Sequence, residues 1–186
     1  TPVAGHRVSI QTTTRINKIS GCINTADQGG YGWGRIYPNT YLLSLYDQAK
    51  DTRYNELFVH RFKYNDPTSP KYGELIPLTQ SSSYCETLHF MSKKYFDQWT
   101  MADNPDRTTG FKDLIVYRLA ETYLMAAEAY MRRDGGMSTD ALRCYNKTWE
   151  RAGNDKFAGP LTQDILLDEY ARELNFEGVR WPLLKR

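Results

Sequence analysis

Cysteine is scarce in this chain of 186 residues, which has only Cys22, Cys85 and Cys144. An odd count argues against a complete disulfide framework. Cys144 lies in a helical pattern beside Leu142 and Tyr145 and reads as a buried thiol. Cys22 and Cys85 could be bridged, and the sequence does not decide it. No apolar run approaches the roughly 20 residues of a membrane-spanning helix. The formal net charge is only +2, and no Lys/Arg cluster is dense enough to track phosphates, so nucleic acid is not an expected partner. His6, His60 and His89 stand too far apart for metal-ligand spacing, and each reads as a surface or hydrogen-bonded histidine. No Gly-x-Ser-x-Gly elbow supports nucleophilic hydrolysis. The glycines of residues 29–34 are followed by no Gly-Lys-Ser/Thr, so they form no phosphate loop. No metal and no cofactor is expected. The chain opens on Thr1-Pro2-Val3, which is no signal peptide, and stops after Trp181-Pro182-Leu183-Leu184-Lys185-Arg186. Both ends look cut, and the expectation is a fragment of a longer chain.

What is present is an ordinary globular balance, 40% hydrophobic and 25% charged, with a surplus of amphipathic aromatics. There are 14 Tyr and 4 Trp against 7 Phe. Such rings join an apolar face to a polar edge and are favoured at binding surfaces. This tilts the reading towards recognition.

The chain has two textures. Residues 1 to about 112 are rich in turn signals, as in Asn24-Thr25-Ala26-Asp27-Gln28-Gly29-Gly30 and Asn65-Asp66-Pro67-Thr68-Ser69-Pro70. Within them, Asn39 or Thr40 could cap a helix running to about Ala49, with Leu42, Leu45, Tyr46 and Ala49 on one face. Residues 57–64 read as one short half-buried strand, with Phe58, Phe62 and Tyr64 on one parity.

Residues 113–186 read as helices. Leu119, Tyr123, Ala126, Ala127 and Tyr130 fall at helical spacing up to Gly135-Gly136. Ser138 can cap the next helix, whose inner stripe is Ala141, Tyr145, Thr148, Trp149 and Ala152, ending at Gly153. Thr162 can cap a third helix, lined by Leu166, Tyr170 and Leu174, up to Gly178. The first two helices set small residues against large ones, the logic of a tetratricopeptide hairpin, at Ala127, Tyr130, Ala141 and Tyr145. One such hairpin cannot bury both its faces and needs neighbours. Trp149 and Trp181 are expected in the core.

Three ordered motifs in this half resemble the SusD/RagB family. They are Tyr117-Arg118-Leu119-Ala120-Glu121-Thr122-Tyr123-Leu124-Met125-Ala126-Ala127-Glu128-Ala129, then Glu150-Arg151-Ala152-Gly153 behind Tyr145-Asn146, then Arg172-Glu173-Leu174-Asn175-Phe176-Glu177-Gly178-Val179-Arg180-Trp181. Looser similarity reaches upstream through Lys93-Lys94-Tyr95-Phe96-Asp97 and Asp51-Thr52-Arg53-Tyr54 to Gly32-Trp33. Tyr170 and Leu183 depart from the family pattern, standing where Arg and Asp are common. The resemblance implies a mostly α fold, a tetratricopeptide-like helical scaffold carrying a large irregular, loop-rich region. Residues 1–112 would hold the ligand site, and residues 113–186 would be the helical part of the same domain. It implies a surface-exposed lipoprotein of the outer membrane in Bacteroidota, involved in polysaccharide utilisation and nutrient uptake. That protein would bind oligosaccharide or polysaccharide and deliver it to a SusC-like TonB-dependent transporter, held by an N-terminal lipid anchor absent from this chain. The alternatives are a helical-repeat protein-interaction scaffold and a peptide-binding member of the family.

The segment Gly29-Gly30-Tyr31-Gly32-Trp33-Gly34-Arg35-Ile36-Tyr37-Pro38-Asn39 is the leading candidate site. Glycines let a backbone project large rings, sugar rings stack their C–H faces on aromatics, and Arg and Asn hydrogen-bond hydroxyls. Tyr31, Trp33, Arg35, Tyr37 and Asn39 supply both contacts, with Trp33 the strongest candidate. The bland alternative is a loop whose aromatics pin it to the scaffold. Trp99 could also reach a ligand, although an indole in such a place is more often packed on the surface. Glu121, Glu128, Glu173 and Glu177 suggest paired-carboxylate hydrolysis. With Arg172 and Arg180 close by, they read instead as ion-paired structural groups, and no catalytic residue is expected.

Overall fold

The computed structural model describes residues 6–78 and 86–185. The chain is mostly helical, with short two-stranded ladders, and divides into two compact units. One comprises Thr1–Asn39 with Asn55–Asp113, the other Thr40–Tyr54 with Leu114–Arg186.

The first unit begins with α1 (Val8–Thr12), a single turn whose Ser9, Ile10 and Thr12 are buried. The segment expected to form one strand at 57–64 is two. β1 (Phe58–Val59) pairs antiparallel with β4 (Met91–Ser92), and β2 (Phe62–Lys63) pairs with β3 (Leu75–Ile76). Its period-2 burial is as expected, with Phe58 and Phe62 inside and Lys63 outside. The ladder breaks because each half finds a different partner strand. Phe62, Ile76, Leu88, Met91, Ile16 and Cys22 form the apolar centre of this unit. Burial raises the Cys22 pKa, as desolvation disfavours a thiolate. Cys85 lies outside the described residues. Helix α4 (Gln98–Asp103) is capped by Asp97, which accepts from the Thr100 amide.

The second unit is built on a helical hairpin. α5 (Leu119–Asp134) stops at Gly135 with φ 88°, and Gly136 is pressed so close to Leu161 that a Cβ would sit 2.2 Å from its carbonyl oxygen. Helix α6 (Thr139–Trp149) is capped by Ser138 and ends in a 3₁₀ turn, Glu150–Ala152, closed by Gly153 at φ 88°. Ala127, Ala141, Tyr145 and Cys144 meet in the core with Leu124, Leu166, Tyr170 and Leu174, and Tyr130 packs at its edge. Three of the four named positions, Ala127, Ala141 and Tyr145, are thus buried in one cluster, and Tyr130 is partly buried beside it. Leu119 was expected on the inner stripe but is mostly exposed, and Leu124 fills that role. The helix begins at Leu119, and the buried set runs Ala120, Leu124, Ala127, Glu128. Asn146, part of a formal glycosylation sequon, is buried and holds Phe157 through both its carbonyl and its amide.

The third helix ends earlier than Gly178. α7 (Gln163–Leu174) gives way to extended Asn175 and to Phe176 at φ 64°. The Asn175 side chain donates to the Arg172 carbonyl at 2.6 Å and to the Tyr46 hydroxyl at 3.0 Å, competing with continuation of the helix. α8 (Arg180–Lys185) turns Leu183 towards the core together with Val179. This corrects the placing of Trp181, which is 67% exposed with Lys185 lying over its ring. Trp149 is half-buried, packed against Tyr145, and donates its indole N–H to the Asp155 carbonyl at 2.7 Å.

The helix expected over 39–49 is only α2 (Thr40–Ser44). The Asp47 carboxylate accepts from the Ala49 and Lys50 amides and folds the following residues into a turn. Ala49 is exposed, not part of an inner face. α3 (Thr52–Glu56) follows and carries buried Arg53 and Tyr54.

Thr162 is exposed, and its hydroxyl accepts from the Ile165 amide at 3.3 Å, so it acts on α7 only as a cap. Thr162→Ala should cost about 1 kcal/mol in urea unfolding. A loss below about 0.3 kcal/mol would show that the cap does not hold the helix.

Candidate functional site

The Gly/aromatic segment starts from a tight turn. Gly29 (φ 85°) closes the 3₁₀ turn Ala26–Gln28, and Gly30 (φ 70°) redirects the chain. From there the backbone is tied down residue by residue. The amide of Tyr31 donates to Pro105, Trp33 to Ile10, Gly34 to Thr13, and Arg35 and Ile36 both to Gln11, at 2.7–2.9 Å. Gly32 lies so close to the chain at Thr13 and Thr14 that an added Cβ would stand 2.2–2.3 Å from their carbonyl oxygens. The segment is not a swinging loop but a stretch seated on residues 10–14.

The chain turns at Gly34 (φ 61°), and the guanidinium carbon of Arg35 lies 4.7 Å from the Trp33 ring centroid. Trp33 is half-buried and Arg35 exposed. Arg7 approaches the same ring at 5.8 Å. Nothing in the local pattern of residues 29–39 pointed to Arg7, because it reaches the ring only through the fold. Tyr37 turns to His89, with ring centroids 5.0 Å apart. Tyr31 is half-buried and Asn39 exposed. Of the six sequence candidates, the structure thus pairs Trp33 with Arg35, seats Tyr37 on a buried histidine, and sets Trp99 in a different place.

Trp99 is 91% exposed on α4. It lines a groove of about 620 Å³ with Lys93, Phe96, Asp97, Gln98, Phe111, Lys112 and Asp113. Burial opposes the charge of Asp97, but hydrogen bonds from Thr100 and the Phe111 amide outweigh it and keep its pKa low. Asp97 therefore serves as the anionic anchor that ties residue 111 to the start of α4.

Three of the four glutamates, Glu128, Glu173 and Glu177, are ion-paired, but not with Arg172 or Arg180. In the helical unit Glu173 meets Arg53 at 2.9 Å and Arg118 at 2.7 Å, and also pairs with Arg151. Glu177 pairs with Arg118 at 2.7 Å. Arg172 instead holds Glu169, and Arg180 donates to the Leu167 carbonyl. Glu128 pairs with Arg132 one turn on. Burial disfavours the Glu173 carboxylate, yet its arginines more than compensate and hold its pKa down to about 2. A general acid needs the opposite shift. Among the described residues no group of three or more His, Cys, Asp or Glu could hold a metal. His6 reaches the Lys112 carbonyl, His60 stacks on Phe90, and His89 is fully buried.

Comparison with known proteins joins these observations. The family model described as the SusD family matches residues 2–186. A starch-binding protein, SusD of Bacteroides thetaiotaomicron, is 40% identical over 68 residues, 37% of this chain and 12% of that protein. SusD-like protein P2 of Formosa agariphila is 30% identical over 172 residues, 84% of this chain and 32% of its own length. The chain therefore matches about a third of that relative's length and less of the first. A SusD superfamily protein of Parabacteroides distasonis shares the fold at a TM-score of 0.63 and 22% identity, over 94% of this chain and 34% of the other. Surface glycan-binding protein A of Bacteroides uniformis does so at 0.57 and 24%, over 82% and 30%. The motifs, the mostly helical architecture and the match along nearly every residue agree: this chain belongs to the SusD family.

Proposed function

We propose that this chain is part of a non-catalytic glycan-binding protein at the outer-membrane surface. It would pass oligosaccharide to a SusC-like TonB-dependent transporter, with a lipid anchor as its membrane attachment. One observation carries this reading: Trp33 and Arg35 are held together, partly open to solvent, on a backbone fixed by five hydrogen bonds. A site whose frame is already ordered loses little entropy when ligand binds. The names of two relatives, one starch-binding and one glycan-binding, support the ligand class. The non-catalytic part is supported by the low pKa of Glu173, which removes it as a proton donor near neutral pH. Among the described residues no helix is long and apolar enough to cross a membrane.

The test is affinity electrophoresis of the full chain through gels holding a panel of polysaccharides. Trp33→Ala should weaken binding of the retarding polysaccharide at least about 10-fold with the fold intact. Unchanged retardation would remove Trp33 from the site.

A second reading, a protein-interaction scaffold, is favoured by one observation in the helical unit. Leu114, Ile115, Val116 and Tyr117 form a consecutive apolar run that is largely exposed, with exposed Leu119 just beyond Arg118. Contiguous apolar surface of this kind marks interaction sites. No retardation by any polysaccharide, with stable co-purification of an outer-membrane transporter, would move the assignment to that reading.

A further inference from the structure

We propose that the saccharide taken at Trp33 is anionic, with a carboxylate or sulfate ester held between Arg7 and Arg35; this rests on the glycan-binding reading and names its substrate class. The two guanidinium carbons lie 5.8 and 4.7 Å from the same indole centroid. Both side chains are exposed. Among the described residues, no carboxylate stands within ion-pair distance of either.

This sets them apart from the other clustered arginines of the chain. Arg53, Arg118, Arg151 and Arg172 each meet a carboxylate, and even the partly exposed Arg15 of the same unit is paired with Glu86. Two like charges gathered on one ring repel each other unless an anion joins them. The indole quadrupole attracts each cation and so helps hold both in place.

The geometry also decides which contact a sugar can make. A guanidinium over an aromatic face occupies the area where a neutral pyranose would stack. Its N–H donors lie in its own plane and form a fork matched to carboxylate, sulfate or phosphate oxygens. The indole then acts as a platform that orients Arg35. The rigid backbone of residues 31–36 fixes that platform before ligand arrives.

The experiment compares matched pairs of polysaccharides on the full chain by calorimetry. One pair is polygalacturonate and its methyl ester, which removes the carboxylate charge. The other is a carrageenan and its desulfated form. The expected result is binding of one charged member and not of its neutral counterpart, weakened as salt rises from 0.05 to 0.5 M (about these values) because exposed charges are screened. Which pair responds tells carboxylate from sulfate. Arg7→Gln and Arg35→Gln should each weaken binding about 10- to 100-fold. Arg35→Lys should recover only part of the loss, since an ammonium keeps the charge without the planar fork. Both positions carry exposed side chains, so unfolding temperatures should stay unchanged in all three variants. Equal binding of charged and neutral members would overturn the anionic assignment and leave glycan binding standing. No binding of any saccharide would overturn both.

Discussion

Arg53→Met should destabilise the chain by about 4–5 kcal/mol in urea or thermal unfolding, the largest loss expected of any single substitution here. Arg53 is buried and meets Asp51 at 2.7 Å, Glu169 at 2.8 Å and Glu173 at 2.9 Å. Burial opposes its charge, but the hydrogen bonds and fields of Asp51 and Glu169 prevail and raise its pKa above the usual range. Methionine keeps an unbranched stem about as long as that of the arginine up to Nε and removes the guanidinium cation. Glu173 would keep Arg118 and Arg151, and Glu169 would keep Arg172. Asp51, almost fully buried, would be left with two neutral donors, the Asn154 amide and the backbone N–H of residue 53, both at 3.1 Å, and no cation. An uncompensated buried carboxylate is the source of the cost. A loss under about 1.5 kcal/mol would mean that water or a rearranged arginine reaches Asp51.

The same cluster sets an acid limit on stability. The Glu173 pKa is about 2 in the fold against an ordinary value of 4.5. The unfolded chain takes up this proton first, so stability rises with pH between the two values. The contribution is complete above about pH 5 and is lost as pH falls towards 2, roughly 3 kcal/mol in all. Urea unfolding at a series of pH values should show this slope. In Arg53→Met the penalty should shrink below about pH 4, because carboxylates deprived of their cation can be protonated instead. A penalty that stays constant from pH 7 to pH 3 would show that Arg53 stabilises through packing and not through charge.

Gly34→Ala is the second large effect, about 3 kcal/mol, and it should also weaken ligand binding. Gly34 has φ 61°, and a Cβ there would stand 2.2 Å from the Glu86 carbonyl oxygen. That oxygen already accepts from the Arg15 amide at 2.8 Å, so it has little freedom to retreat. Gly34 lies between Trp33 and Arg35, and any shift of its backbone pulls the ring and guanidinium apart. Gly73 is the control. Its φ is 84° with nothing within 4 Å of a built Cβ, so Gly73→Ala should show the conformational cost alone, about 1 kcal/mol. If the two substitutions cost the same, the close approach at Gly34 contributes nothing.

The helical hairpin was legible because its signals are local. Ser138 and Thr162 cap their helices through their own neighbours' amides, glycines end α5 and the turn after α6, and a 3.6-residue period puts Ala127, Ala141, Tyr145, Leu166 and Tyr170 inside. The family motifs lie on this same stretch, so fold class and family could be read from residues alone. The errors arose where a distant partner overrides a local preference. Trp181 reads as core from its place in the family motif, but the turn of α8 gives that place to Leu183. The strand at 57–64 divides because β3 and β4 each claim half of it.

The candidate site divides in the same way. The sequence by itself determined the composition of the segment, rings and an arginine spaced by glycines. Only the tertiary structure decided that Arg7 joins them, that Tyr37 turns to His89 and that Arg53 gathers Asp51, Glu169 and Glu173. The physical reason is range. Caps, turns and periodicity act over three or four residues and leave their mark in the sequence nearby. The pairing of charges and rings depends on which side chains the backbone brings within a few ångströms, and chain distance does not carry that information.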